Sequence, residues 1–217
     1  MKRTLVLLAA GALFFTSCQQ DPQADQAKTG EAMEASATTG TAYPVDLAQS
    51  QLTWIGTKPT GQHMGATMLK SGNVVIQDGN ITGGQFVMDM ADMKSLDQDT
   101  SGAYKLIGHL QSADFFDVAQ FPTSKFEITS VTAGVDTAGL VMKDATHTIT
   151  GNLTLKDVTK SVTFPARIAM SENSVLADAN FNIDRTQWGI SYGNDQSLKD
   201  KFIRPIVNIG LHIVAVK

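Results

Sequence analysis

The sequence has one cysteine, little charge and no long hydrophobic run. A single Cys in 217 residues, Cys18, excludes an intramolecular disulfide framework and any zinc site built from several thiolates. Charged residues make up 18% of the chain and its formal net charge is −4. Dispersed Lys and Arg on a mildly acidic chain exclude the basic footprint of a nucleic-acid binder. The longest uncharged apolar stretch, Leu5 to Phe15, is too short to cross roughly 30 Å of hydrocarbon as a helix. No phosphate-cradling loop is present, because Gly83-Gly84 is not followed by Lys-Ser or Lys-Thr. The four histidines, His63, His109, His147 and His212, show no H-x-H or H-x-x-x-H spacing, so no metal is assigned. The 42% of hydrophobic residues is ordinary, and the length suits one folded domain.

What is there begins with an address. Lys2 and Arg3 precede the apolar run Leu5–Phe15, as in a secretory signal over residues 1–17. The run ends in Phe15-Thr16-Ser17-Cys18, which resembles the lipobox of bacterial lipoproteins. That resemblance implies lipid attachment at Cys18, and so a membrane partner without a spanning helix. The alternative is an ordinary signal peptide with Cys18 near its cut. Gln19, where Asp would favour inner-membrane retention, points to the outer membrane of the cell envelope, facing the periplasm. Residues 18–42 read as an anchor and flexible tether: they carry no aromatic residue, and their one large apolar side chain is Met33.

From residue 43 to 217 the pattern has period two. Val162, Phe164, Ala166, Ile168 and Met170 alternate with more polar neighbours. So do Val207, Ile209, Leu211, Ile213 and Ala215, and Ile149, Gly151, Leu153 and Leu155. This spacing predicts half-buried strands. Turn signals at Asp78-Gly79-Asn80, Ala133-Gly134, Ala138-Gly139 and Glu172-Asn173 separate them, which predicts an all-β antiparallel sandwich or barrel. One stretch differs. Tyr104, Leu106, Ile107 and Leu110 have near-helical spacing, so a short helical segment is expected near 102–117, with Ser101 as its cap. The Phe115-Phe116 pair then requires at least one inward ring.

The segment His109-Leu110-Gln111-Ser112-Ala113-Asp114-Phe115-Phe116-Asp117-Val118, with Phe121-Pro122-Thr123 and Phe126 after it, resembles the central signature of the YceI-like family. Tyr43 to Leu52, Gly151–Leu155 with Val158-Thr159-Lys160, and Ile183-Asp184-Arg185 through Trp188-Gly189-Ile190 resemble its other motifs in order and spacing. The chain departs from the pattern at Gln49, where many members carry His, and at Asp157, where the hairpin usually carries Gly.

The resemblance implies a lipocalin-like, extended antiparallel β-barrel of about eight strands. It also implies non-catalytic binding of a long-chain isoprenoid or similar amphiphilic lipid, with no other cofactor. Lining candidates on inward phases are Trp54, Phe86, Met88, Leu110, Phe115, Phe126, Ile128, Phe164, Phe181 and Trp188; plain core packing is the alternative for each. Candidate mouth groups are His109, Asp114 and Arg185. Gly83 or Gly84, Gly151 and Gly210 are expected to leave room inside. Met64, Met68, Met88, Met90 and Met93 suit adaptable packing around a lipid. Two rival readings stay open: a structural or stress-related envelope module with a closed core, and a hydrolase using Ser191 of Gly189-Ile190-Ser191-Tyr192-Gly193 with His212. A second copy of the chain, in a homodimer, is the further partner considered.

Overall fold

The computed structural model describes residues 21–34 and 38–217. The signal segment and Cys18 lie outside the described residues. Eight strands form the wall: β4 (Gln51–Lys58), β5 (Gly61–Gln77), β6 (Asn80–Ser95), β7 (Thr123–Ala133), β8 (His147–Leu155), β9 (Val158–Met170), β10 (Ser174–Asp184) and β11 (Ile206–Val216). Each pairs antiparallel with the next, and β11 returns to β4 through Val207↔Gly56 and Leu211↔Leu52. The wall therefore closes into an eight-stranded barrel with no free edge, as full closure requires. Before it come three short strands, β1 (Asp25–Gln26), β2 (Lys28–Glu31) and β3 (Thr41–Pro44).

The alternation read from sequence is the alternation observed. Val162, Phe164, Ala166 and Ile168 are buried inside β9, as are Val175, Ala179, Phe181 and Ile183 inside β10. On β5 and β6 the alternation fails. Register shifts fall between Thr67 and Met68, between Leu69 and Ser71, and between Val75 and Ile76. Each shift slips the inward phase, so the burial of Met88, Met90 and Met93 together follows no single period.

One helix, α1 (Thr100–Gln111), follows β6. Its cap is Asp99, not Ser101: the Asp99 carboxylate accepts from the Gly102 N–H at 2.7 Å. α1, the β4–β5 and β8–β9 hairpins and the 185–205 segment all belong to one end of the barrel, called here the α1 end.

The segment expected as a flexible tether is corrected over 21–34. β9 and β10 pair with each other only through Arg167–Met170 and Val175–Asp178. Beyond that they diverge, and the N-terminal segment fills the seam. β1 adds in parallel to β10 at Phe181 and Asn182, and β2 adds antiparallel to β9 at Lys160–Thr163. Ala27, between them, is buried. The reason this was not legible is that backbone pairing, not side-chain burial, holds the strap. Its polar side chains show no period.

Asp25 pins the strap. It is 8% exposed, and its carboxylate accepts from the backbone N–H groups of Val141 at 2.7 Å and Met142 at 2.9 Å. Asp25→Ala leaves both donors unpaired. The expected cost is about 2 kcal/mol in a urea titration, with faster amide exchange confined to residues 25–31.

Candidate functional site

The barrel encloses a cavity of about 400 Å³ with an almost wholly apolar wall. That volume falls in the range of sites that bury one small-molecule ligand. Around its middle runs a set of rings from successive strands. Phe86 and Phe126 are register partners with centroids 6.4 Å apart. Phe126 lies 5.8 Å from Phe164, and Phe164 stacks on Phe181 at 4.0 Å and 12°. β8 contributes no ring because Gly151 stands there: a Cβ at Gly151 would collide with the Phe126 ring.

Of the lining residues read from sequence, Trp54, Phe86, Met88, Leu110, Phe115, Phe126, Ile128, Phe164 and Phe181 reach the cavity, as do His109 and Arg185. Trp188 does not. It is 1% exposed, and its indole N–H donates to the Leu153 carbonyl at 2.9 Å. β10 ends at Asp184 and a 3-10 turn spans Arg185–Trp188, so the strand phase that would aim residue 188 inward has already stopped. Of the expected glycines, Gly84 and Gly151 are inward, but the space at Gly151 is taken by Phe126 and a Cβ at Gly84 would meet Ile128 and the Asn73 carbonyl; Gly83 makes room for Thr38, and Gly210 sits on the outer face beside Thr53.

The three expected mouth groups are spent on the protein itself: His109 and Asp114 on each other, and Arg185 on backbone carbonyls. His109 Nε2 stands 3.1 Å from Asp114 Oδ2, and its ring meets Phe115 and Tyr192 edge-on. Arg185 is 5% exposed and donates to the carbonyls of Ile190, Tyr192, Ile203 and Arg204. Its guanidinium also covers the Phe115 ring at 5.7 Å. Burial pushes its pKa below the ordinary arginine value, with Asp184 opposing. Both Phe115 and Phe116 face the cavity, with Phe115 the more buried.

Sequence reasoning missed Lys58, His63, Ile190 and Arg204, which line the α1 end; of the methionines expected to pack around a lipid, Met88, Met90 and Met93 reach the cavity. The inward alternation of β4 marks Lys58, two residues after Gly56 and four after Trp54; nothing local marks Arg204, which precedes its strand.

Ser191 and His212 are not brought together. Ser191 follows the 3-10 turn at the α1 end, whereas His212 pairs with Gln51 at the start of β4. His212 Nδ1 instead lies 2.7 Å from Asp178 Oδ1, and Arg167 holds the other oxygen at 2.7 Å. Burial opposes ionisation of Asp178, but these hydrogen bonds outweigh it and hold the carboxyl below the ordinary carboxylate range. No nucleophile–base pair forms here.

Residues 43–215 match the YceI-like domain family. The chain belongs to the YceI-like family. Among curated relatives, a UPF0312 protein of Pseudomonas aeruginosa is 47% identical over 60 residues, which is 28% of this chain and 27% of that protein. Protein YceI of Salmonella arizonae is 45% identical over 60 residues, with the same coverage of both chains. The alignments thus span about a quarter of those relatives' length. Among solved structures, BcnA of Burkholderia cenocepacia superposes with a TM-score of 0.60 at 22% identity, over 79% of this chain and 99% of that one. A polyisoprenoid-binding domain from Saccharophagus degradans superposes at 0.58 and 15% identity, over 80% and 97%. At these identities the likeness is one of fold: the closed barrel with one short helix is the YceI-like architecture. The strap at 25–31 precedes the part of the chain that the family covers.

Proposed function

We propose that this YceI-like barrel binds one long-chain isoprenoid or similar amphiphilic lipid and carries or stores it without chemistry. The observation that carries the reading is the cavity of about 400 Å³, apolar along the barrel and reaching half-buried Lys58, His63 and Arg204 at the α1 end. A core serving stability alone is filled to a density of about 0.75 and leaves no such space. The polyisoprenoid-binding domain of similar fold adds support. Burying roughly 300 Å² of a ligand's hydrocarbon contributes about 7 kcal/mol at ~25 cal/mol per Å², so chain burial dominates affinity.

The proposal extends to location. A lipid on Cys18 anchors the protein in the cell envelope, on the outer membrane facing the periplasm. Asp21 stands 3.9 Å from Arg204 at the α1 end, and Asn182 donates to the Pro22 carbonyl. Three residues of chain reach about 10 Å, so an anchor at Cys18 keeps the α1 end toward the membrane.

Native mass spectrometry of the full chain, purified gently from envelope membranes, should show a bound lipid at one per barrel. Repeated recovery of empty protein that also takes up no added isoprenoid would remove the ligand reading. Cys18→Ala should move the folded protein to the soluble fraction; retention on membranes would remove the anchor.

A further inference from the structure

The side wall of the barrel has one line of weakness. β9 is paired with β8 from Val158 to Ala166, and β10 with β11 from Ser174 to Asp184. Between β9 and β10, however, pairing stops at Arg167 and Asp178. From there toward the α1 end the strap is the missing strand, with Asp25 and Gln26 on the β10 edge and Lys28–Glu31 on the β9 edge. Neighbouring strands stand about 4.8 Å apart, so one inserted strand sets the two edges roughly 10 Å apart. A hydrocarbon chain is no wider than the strand it would replace.

The strap is held differently from the strands beside it. Within residues 25–31 only Ala27 is both apolar and buried. The other ties are polar. The Asp25 carboxylate takes the Val141 and Met142 N–H groups, and the Asn182 carbonyl accepts from Gln26 Nε2 at 3.1 Å and from the Ala27 N–H at 2.9 Å. Glu31 meets Lys160 in an exposed ion pair, of the kind that water screens. The flanking edges carry Val162, Phe164, Phe181 and Ile183, all buried and all lining the cavity. A segment that buries little apolar surface opens at lower free energy than core strands do, so the strap detaches before the wall unfolds.

Behind the strap, side chains rather than backbone span the seam: Phe164 of β9 stacks on Phe181 of β10 at 4.0 Å. The α1 end is closed by firmer ties. There Arg185 holds four carbonyls, and the rings of His109, Phe115 and Tyr192 pack together.

We propose that the strap is the door of a lateral portal: it peels from the seam, a hydrocarbon tail passes sideways between β9 and β10, and the strap closes behind it. The Phe164–Phe181 stack is the inner leaf of the same door. This inference rests on the lipid-binding reading above.

The test locks the door. Gly30 and Ser161 are register partners, and a Cβ built at Gly30 lies 3.1 Å from Ser161 Oγ, a placement that a disulfide can bridge. Gly30→Cys with Ser161→Cys is made in the full chain with Cys18→Ala, so that no third thiol competes, and is compared oxidised and reduced after delipidation. Stopped-flow binding of cis-parinaric acid, followed by energy transfer from tryptophan, gives the association and dissociation rates. Geranylgeraniol serves as the competing chain. A door that does not touch the ligand changes both rates and leaves the equilibrium alone. Oxidation should therefore slow association and dissociation at least 10-fold, with Kd within 2-fold, and reductant should restore both rates. Asp25→Ala, which loosens the strap, should speed both at least 5-fold.

Amide exchange supplies a readout that needs no ligand. In the empty barrel the Ala27 amide should exchange at least 100-fold faster than the amides of β8, which is paired on both sides. Unchanged rates in the oxidised form, or an Ala27 amide that exchanges only with the whole barrel, overturns the portal. In either case a probe that still binds upholds the lipid site. If neither probe binds the reduced protein, the lipid reading falls, and the portal with it.

Discussion

Ala177→Trp is expected to abolish the proposed lipid binding while the barrel stays folded. Ala177 sits on the inward phase of β10, between Ile168 of β9 and Ile213 of β11, and lines the cavity. An indole placed there occupies the space that the tail would fill. Affinity for a long-chain isoprenoid should fall at least 100-fold, equivalent to about 2.8 kcal/mol. Overpacking a filled core costs about 1–3 kcal/mol, but an indole entering empty space buries new apolar surface instead. The urea midpoint should therefore stay within the equivalent of about 1 kcal/mol of the parent. A folded variant that binds lipid as before would place the ligand outside the cavity.

Arg185→Ala should be the most destabilising single substitution at the α1 end. The side chain ties four carbonyls, from Ile190, Tyr192, Ile203 and Arg204, into one fork. Those carbonyls belong to the segment that returns the chain from β10 to β11. Removing the guanidinium strands acceptors in a region water does not reach easily, at an expected cost of about 3–5 kcal/mol. Arg185→Lys keeps the charge but cannot span the four acceptors, and should recover less than half of that loss. Urea titration checks both. The loop should also loosen, seen as faster amide exchange at Ile190–Tyr192 and loss of the Tyr192–His109 ring contact. A loss below about 1 kcal/mol would show that the loop is held by other means.

The same residue shows how sequence and structure divided the site. Arg185 was expected as a mouth group because a cation beside an inward strand could meet a polar head. Its neighbours in space, residues 190–204, come from a loop whose path no local pattern reveals. Those neighbours supply enough carbonyls to occupy it. Trp54 shows the reverse. Its inward phase was legible, but it was read as an apolar wall residue. That its N–H has no partner among the described residues depends on what β5 places beneath the ring at Gly65. Gly151 was correctly read as inward, yet the room it leaves is taken by Phe126 one strand away. The strap at 25–31 was read as a spacer because pairing by backbone alone imposes no side-chain period.

By itself, the sequence determined the strands and their faces on β8, β9 and β11, the helix after β6, and the family. Those features are local: the pleat sends successive side chains to opposite faces, and a five-residue window reports it. Only the tertiary structure decided the closure of β11 onto β4, the slipped phases of β5 and β6, the sealed seam between β9 and β10, and which polar groups face the cavity unpaired. Each of these depends on register between residues far apart in the chain, and a pleat carries no record of its partner. The single cysteine stands between the two. Its place after an apolar run is written in the sequence; that the chain emerges from the barrel beside Arg204, at the cavity's polar end, is a matter of fold.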